Sequence, residues 1–282
     1  MKTLKYVFFV LIISVLASCS MDDTGNGGLP NDNYFEYKIN GQSVKVVSWD
    51  AQRSENTMMV IGVAADGTAI ELNFNQFGDM GAIWSYNINA VQQNRRNHYF
   101  FKQHYFNFEL VAIDYQLRRV QVAFSGNLYD DAYNLDSAYS YVEGSFLVSF
   151  EDVTPIIPGL KVDANINGVQ WYATEQYHQN INSQSFSFVS DDEYMLSFLV
   201  SQDATTVGNN TFNEASANNK VIVYRYDTEI QEFVQYISES GTLNITSQTA
   251  TLIEGDFTLN AKNPTTGEIV TVTNGTFKTA YN

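Results

Sequence analysis

Ile70-Glu71-Leu72-Asn73-Phe74 alternates apolar and polar side chains with a period of two, the pattern of a strand with one face buried and the other in water. Directly before it stands Asp66-Gly67, a pair suited to a tight hairpin turn, and before that the short apolar run Met58 to Ala65. Similar runs, rich in β-branched and aromatic residues, recur along the chain. Met195 to Val200 alternates less strictly, and Lys220 to Tyr226 pairs with Gln231 to Ile237 around a turn at Asp227 to Ile230. Helix is scarce: Glu214 to Asn219 and Asn89 to Arg95 offer a turn or two, and their asparagines oppose more. The chain reads as all-β.

The strand pattern occurs twice. Ile39-Asn40-Gly41 returns as Ile166-Asn167-Gly168, and Trp49-Asp50-Ala51 as Trp171-Tyr172-Ala173. Leu110 to Ile113 with Ser125-Gly126-Asn127-Leu128 is matched by Leu243 to Ile245 with Glu254-Gly255-Asp256-Phe257, and Gly144-Ser145-Phe146 by Gly275-Thr276-Phe277. Four anchors keep their order at an offset of roughly 130 positions, which reads as two homologous units. Pro155-Ile156-Ile157-Pro158-Gly159 interrupts helix and central strand alike. The expected organisation is β-domain 1 over residues 34–154, a linker at 155–159 and β-domain 2 over 160–282, each an antiparallel β-sandwich or curled barrel. In each, Asn-Gly is a type I′ turn joining the first two strands, and the closing Gly-x-Phe marks a bend or a close approach of strands.

The N-terminus carries an address. Lys2 and Lys5 precede an apolar run from Tyr6 to Ala17, too short to span a bilayer, for which roughly 20 helical residues are needed. Residues 1–18 are expected to be a signal peptide. Leu16-Ala17-Ser18-Cys19 resembles the lipobox of bacterial lipoproteins, which implies cleavage before Cys19 and a covalent lipid, diacylglyceryl and palmitate-type chains, on its sulfur and new N-terminus. Cys19 is the one cysteine of the sequence, so disulfides and thiolate metal sites are excluded. Residues 19–33, with Asp22, Asp23 and several glycines, are expected to be a flexible acidic tether. Ser20-Met21-Asp22-Asp23 resembles, with a departure at Met21, the acidic export signal of surface lipoproteins of Bacteroidota. Together with the repeated Ile-Asn-Gly, Trp-x-Ala and Gly-x-Phe motifs, the chain resembles flavobacterial-type surface lipoproteins built from an uncharacterised β-domain. That resemblance implies an outer-membrane location, facing the exterior, and a fold, but no reaction.

A formal net charge of −16 makes nucleic acid and anionic lipid surfaces poor partners. No catalytic constellation stands out. His98, His104 and His178 lack the spacing of paired helical zinc ligands; on one continuous strand, His98 and His104 would stand about 20 Å apart. No Gly-x-Ser-x-Gly elbow occurs. Asp130-Asp131 and Asp191-Asp192-Glu193 are adjacent carboxylates on turns, without the spacing of a glycosidase pair, and calcium is the cofactor they would suit. Asp136-Ser137-Ala138 resembles a short O-glycosylation acceptor.

The aromatic run Tyr99-Phe100-Phe101, then Tyr105-Phe106-Asn107-Phe108, belongs to the first unit alone. On a continuous strand, Phe100, Phe106 and Phe108 would face one side, and Tyr99, Phe101 and Tyr105 the other. The second set is the candidate binding row, free for sugar stacking, for a protein partner or for the seam between domains, unless both sets are buried. The expected role is that of a non-catalytic lipoprotein, held to the bilayer through acylated Cys19, that binds glycan or protein. The alternatives are an accessory subunit of an outer-membrane β-barrel complex for uptake, export or assembly and, further off, a calcium-assisted glycan hydrolase.

Overall fold

The computed structural model describes residues Leu29, 32–90, 94–180, 185–200 and 207–280. The expected signal peptide, Cys19 and most of the tether lie outside the described residues, as does part of the Asn89–Arg95 segment. Asn33, expected in the tether, is tied down: its amide donates to Ser149 at 3.0 Å and its carbonyl accepts from Arg119 at 3.1 Å.

Residues Asp32–Asn282 form one compact all-β unit. The first half runs β1 (Tyr34–Ile39), β2 (Gln42–Val44), β3 (Val46–Ser54), β4 (Thr57–Ala64), β5 (Thr68–Asn75), β6 (Met80–Asn87) and β7 (Arg95–Arg96). A single helical turn α1 (Lys102–Tyr105) leads into β8 (Phe106–Asp114), β9 (Arg119–Tyr129), β10 (Tyr139–Ser149) and β11 (Glu151–Asp152). The second half runs β12 (Lys161–Ile166), β13 (Val169–Tyr172), β14 (Glu175–Asn180), β15 (Ser185–Val189), β16 (Tyr194–Leu199) and β17 (Gly208–Phe212). It ends with β18 (Lys220–Asp227), β19 (Glu232–Gln235), β20 (Ile237–Gln248), β21 (Leu252–Lys262) and β22 (Ile269–Ala280). The stretch Glu214 to Asn219 makes a turn rather than helix.

The two halves share a strand order. In the second, β13-β12-β22-β21-β20-β17 forms one sheet and β14-β15-β16-β18-β19 another. In the first, β2-β1-β10-β9-β8 and β3-β4-β5-β6 take the corresponding places but belong to one sheet, because β7 bridges β6 to the end of β9 at Arg96 and Tyr129. The inner faces of each pair of layers close on their own core. Ile70, Leu72 and Phe74 of β5 meet Val122, Phe124 and Phe146 in the first half; Phe186, Leu196 and Phe198 meet Leu243, Phe257 and Phe277 in the second. Both are sandwiches, and no closed barrel forms among the described residues.

Both Asn-Gly pairs make the left-handed turns that a two-residue hairpin needs, with φ of 50° and 78° at Asn40 and Gly41 and 52° and 82° at Asn167 and Gly168. The asparagine side chain adds a second function. Asn40 Oδ1 accepts from the Tyr141 N–H and Asn167 Oδ1 from the Thr271 N–H, each at 2.9 Å, so each hairpin tip is fastened to the next strand. The closing glycines are places of close approach: a Cβ at Gly275 would stand 2.6 Å from the Phe257 ring.

Replacing Asn167 by glycine keeps the turn and loses the side-chain bond, with an expected cost of about 1 kcal/mol. Asn167→Val also forces a β-branched residue to positive φ, for about 1–2 kcal/mol more. Urea unfolding of the two variants checks the order.

Candidate functional site

Between β7 and β8 the aromatic run does not continue as a strand. The chain is irregular from Asn97 to Phe101, Phe101 takes φ 45°, α1 makes one turn, and pairing resumes at Phe106. The expected alternation therefore fails. Phe106 and Phe108 belong to the core of the first half, whereas Phe100 lies against Tyr177, Tyr226 and Phe233 of the second. The cause is the sheet β14-β15-β16-β18-β19, in which every residue of β15 is buried. Val189, Met195 and Tyr224 stand side by side across its outer face, and Tyr99 packs on Val189 and Met195.

The three candidate residues are thus seam residues. Tyr99 is buried, 8% exposed. Phe101 and Tyr105 are half-buried; Phe101 stacks on His104 at 5.2 Å, and Tyr105 lies 4.7 Å from the His98 ring and shares a hydrogen bond with Tyr226. They do not form an open aromatic row.

The same segment carries the charge that sequence reasoning missed. Lys102 is fully buried, and its Nζ lies 2.8 Å from Glu175 Oε1 on β14. Arg96 Nη2 pairs with the other Glu175 oxygen, while its guanidinium lies 4.3 Å from the Tyr99 ring centroid and 4.8 Å from that of Trp84. Burial pushes the Glu175 carboxyl up, but the charges of Lys102 and Arg96 and their hydrogen bonds outweigh it and hold the carboxyl below its ordinary range. Lys102 stands out in the sequence as a cation ending an aromatic run; nothing local names Glu175 as its partner.

The acidic turn Asp191-Asp192-Glu193 is spread over three tasks. Asp191 spans the seam, accepting the Met80 N–H at 3.1 Å and the Gln103 amide at 3.2 Å. Asp192 accepts the Trp171 indole N–H and the Tyr194 N–H, each at 3.0 Å, and Glu193 pairs with Arg225 at 2.9 Å. Desolvation pushes the Asp192 carboxyl up to about 7 against those two bonds, with Asp191 and Glu193 adding to the rise. Asp130 pairs with Arg95, and Asp131 accepts the Tyr133 N–H. Among the described residues no group of three or more His, Cys, Asp or Glu side chains converges as a metal-ligand set.

A trough of about 1050 Å³ crosses the outer face of β8-β9-β10-β1-β2. Strand register sets its form. Glu109, Ala123, Ser145 and Glu36 make one row across the sheet, and Asn107, Ser125, Glu143 and Lys38 the next. Ala123 and Ser125 of β9 and Ser145 of β10 lower the middle, and the longer side chains of β8 and β1, with Glu143 of β10, raise the sides. Phe77, Asp79, Gln103 and Asp191 close the β8 end. Lys38 is the lining cation and is bound to Glu143 at 2.9 Å. The second half has a depression of about 870 Å³ beside Glu239 and Lys262, and its outer face holds a smaller one of about 420 Å³ among Thr242, Thr258, Asn260 and Thr271. There the side chains bind one another, as in Thr242 with Thr258 at 3.0 Å and Asn244 with Asp256 at 2.8 Å.

No family model, curated protein or solved structure matches this chain.

Glu175→Gln leaves a buried ammonium and guanidinium without their counter-charge and is expected to cost about 3–5 kcal/mol. Lys102→Met added to Glu175→Gln removes one stranded cation and should restore part of the loss. Because the folded carboxyl is held low, its contribution is present above the unfolded value and lost as pH falls through the folded one, a slope that Glu175→Gln should remove from chemical unfolding curves.

The sign is reversed at Asp192. Its carboxyl is raised, so the folded state holds the proton more tightly and stability declines as pH rises from about 4 to 7. Asp192→Asn is expected to flatten that slope and to stabilise the protein at pH 8 by up to about 4 kcal/mol, at about 1.4 kcal/mol per unit, read from Trp fluorescence in urea.

Proposed function

We propose that this chain is a non-catalytic lipoprotein held to the outer membrane through acylated Cys19, whose β-body binds a glycan or a protein segment in the trough of its first half. The observation that carries the reading is the difference between the two matching sheet faces. In the second half polar side chains bind one another across the sheet, Thr242 with Thr258 and Asn244 with Asp256, and the depressions there are smaller, at about 420 and 870 Å³. In the first half the same strand order presents a long concavity lined by Glu36, Glu109 and Asn107, beside small residues that leave room for a ligand. A repeated strand order in which one half keeps the larger, acidic groove and the other ties polar side chains to one another fits a division of labour between binding and support. The acidic body favours a neutral or basic ligand over nucleic acid or anionic lipid.

The anchor and the groove are tested separately. Radiolabelled palmitate is expected to be incorporated by the intact chain and not by Cys19→Ala, which should appear in the soluble fraction. Ser145→Arg fills the centre of the trough and should abolish capture of the ligand, read on glycan and peptide arrays, with thermal unfolding unchanged; equal capture by the variant would sink the groove reading.

A further inference from the structure

We propose that the trough takes an extended, basic peptide segment of another protein, added as a strand to the free edge of β8. This rests on the trough being the binding site and names its ligand.

Among the described strands, β8 pairs along one edge alone, with β9. Its sequence Phe106-Asn107-Phe108-Glu109-Leu110-Val111-Ala112-Ile113-Asp114 contains no lysine, proline or glycine; of the devices that blunt an edge it carries the acidic Glu109 and Asp114 and an irregularity after Leu110. The register shifts between Leu110 and Ala112, so Phe106 to Leu110 is the regular part of the edge. Phe106, Asn107, Phe108 and Glu109 line the trough. An added strand would gain main-chain hydrogen bonds from that edge and place alternate side chains over the groove.

Charge selects the occupant. Glu36, Asp79, Glu109, Glu143 and Asp191 line the trough, against the single ammonium of Lys38, which Glu143 already engages. Burial raises the proton affinity of both Asp79 and Asp191, and the charge of Asp191 adds to the rise at Asp79. A lysine or arginine of the incoming strand relieves that crowding. A second copy of this chain, at −16, meets its own charge there, and residues 20–33 carry Asp22, Asp23 and Asp32 with no cation. For pyranose stacking the lining phenylalanines offer less than the trough's charge does for a cation: Phe106 is 2% exposed, and Phe77, 45% exposed, has one ring face on Tyr172 at 3.8 Å.

Fluorescence anisotropy with the whole mature chain tests this, the probe being a labelled eight-residue peptide of alternating Lys and Val. Saturable binding that weakens as salt rises is expected. Methylating alternate backbone nitrogens along one edge of the peptide should remove it, and Asp79→Asn with Glu109→Gln, at unchanged melting temperature, should weaken it about tenfold. Equal binding of the methylated peptide, or of a Glu/Val peptide, overturns the proposal, as does no peptide binding at all. If a glucosamine tetramer binds instead and Ser145→Arg abolishes it, the peptide inference falls while the groove stands; if no probe binds, both fall.

Discussion

A β-sheet must bury at least one face, and the sheet β14-β15-β16-β18-β19 buries two. Its inner side closes on the core of the second half, and its outer side presents Val189, Met195 and Tyr224 in a row that water would penalise. The first half supplies the cover. Residues Asn97 to Tyr105 leave their own sheet and lie across that row, with Tyr99 and Phe100 as the apolar contacts. This demand explains why the aromatic run breaks out of strand geometry, why Phe101 sits at positive φ, and why two sandwiches with separate cores form one compact unit.

Covering a sheet with a loop brings polar groups into a dry place, where each must find a partner. Lys102 and Arg96 arrive with the covering segment, and Glu175 waits at the start of β14. Asp191 does the equivalent work for backbone, accepting the Met80 N–H and fixing Gln103. A buried pair of this kind is weak evidence for added stability, because hydrophobic replacement of all its members can do as well. It is better understood as a specification of how the halves meet, since any other docking strands three charges.

The two halves show how one strand order accommodates different surfaces. The sheet layers share their order apart from the edge strands β17 and β19, which the second half adds, and each first hairpin is fastened by its asparagine to the neighbouring strand. What differs is the size and charge of outward residues at matching positions. Threonine and asparagine side chains bind across the face of the second half, whereas Ala123, Ser125 and Ser145 between longer acidic neighbours leave the larger trough in the first. The fold imposes the rows; side-chain volume decides whether they enclose space.

The sequence by itself determined the strands and their tight turns, because period-two alternation and positive φ at Asn-Gly are local properties. Ile70, Leu72 and Phe74 are buried where alternation puts them, and Asn40 and Asn167 turn where the motif says. Of the repeated motifs, Asn-Gly makes the same hairpin in both halves, whereas Trp49 lies exposed on β3 and Trp171 buried on β13, strands with different places in the two halves. Tertiary structure alone decided the fate of the residues from Tyr99 to Tyr105, because their conformation answers to a sheet some 90 positions later in the chain rather than to their own alternation. It also decided that Lys102 meets Glu175 and that Glu109 and Glu36 lie in one row with two small residues between. Such partners are brought together by register and layer packing, and charge and burial couple through space, not along the chain.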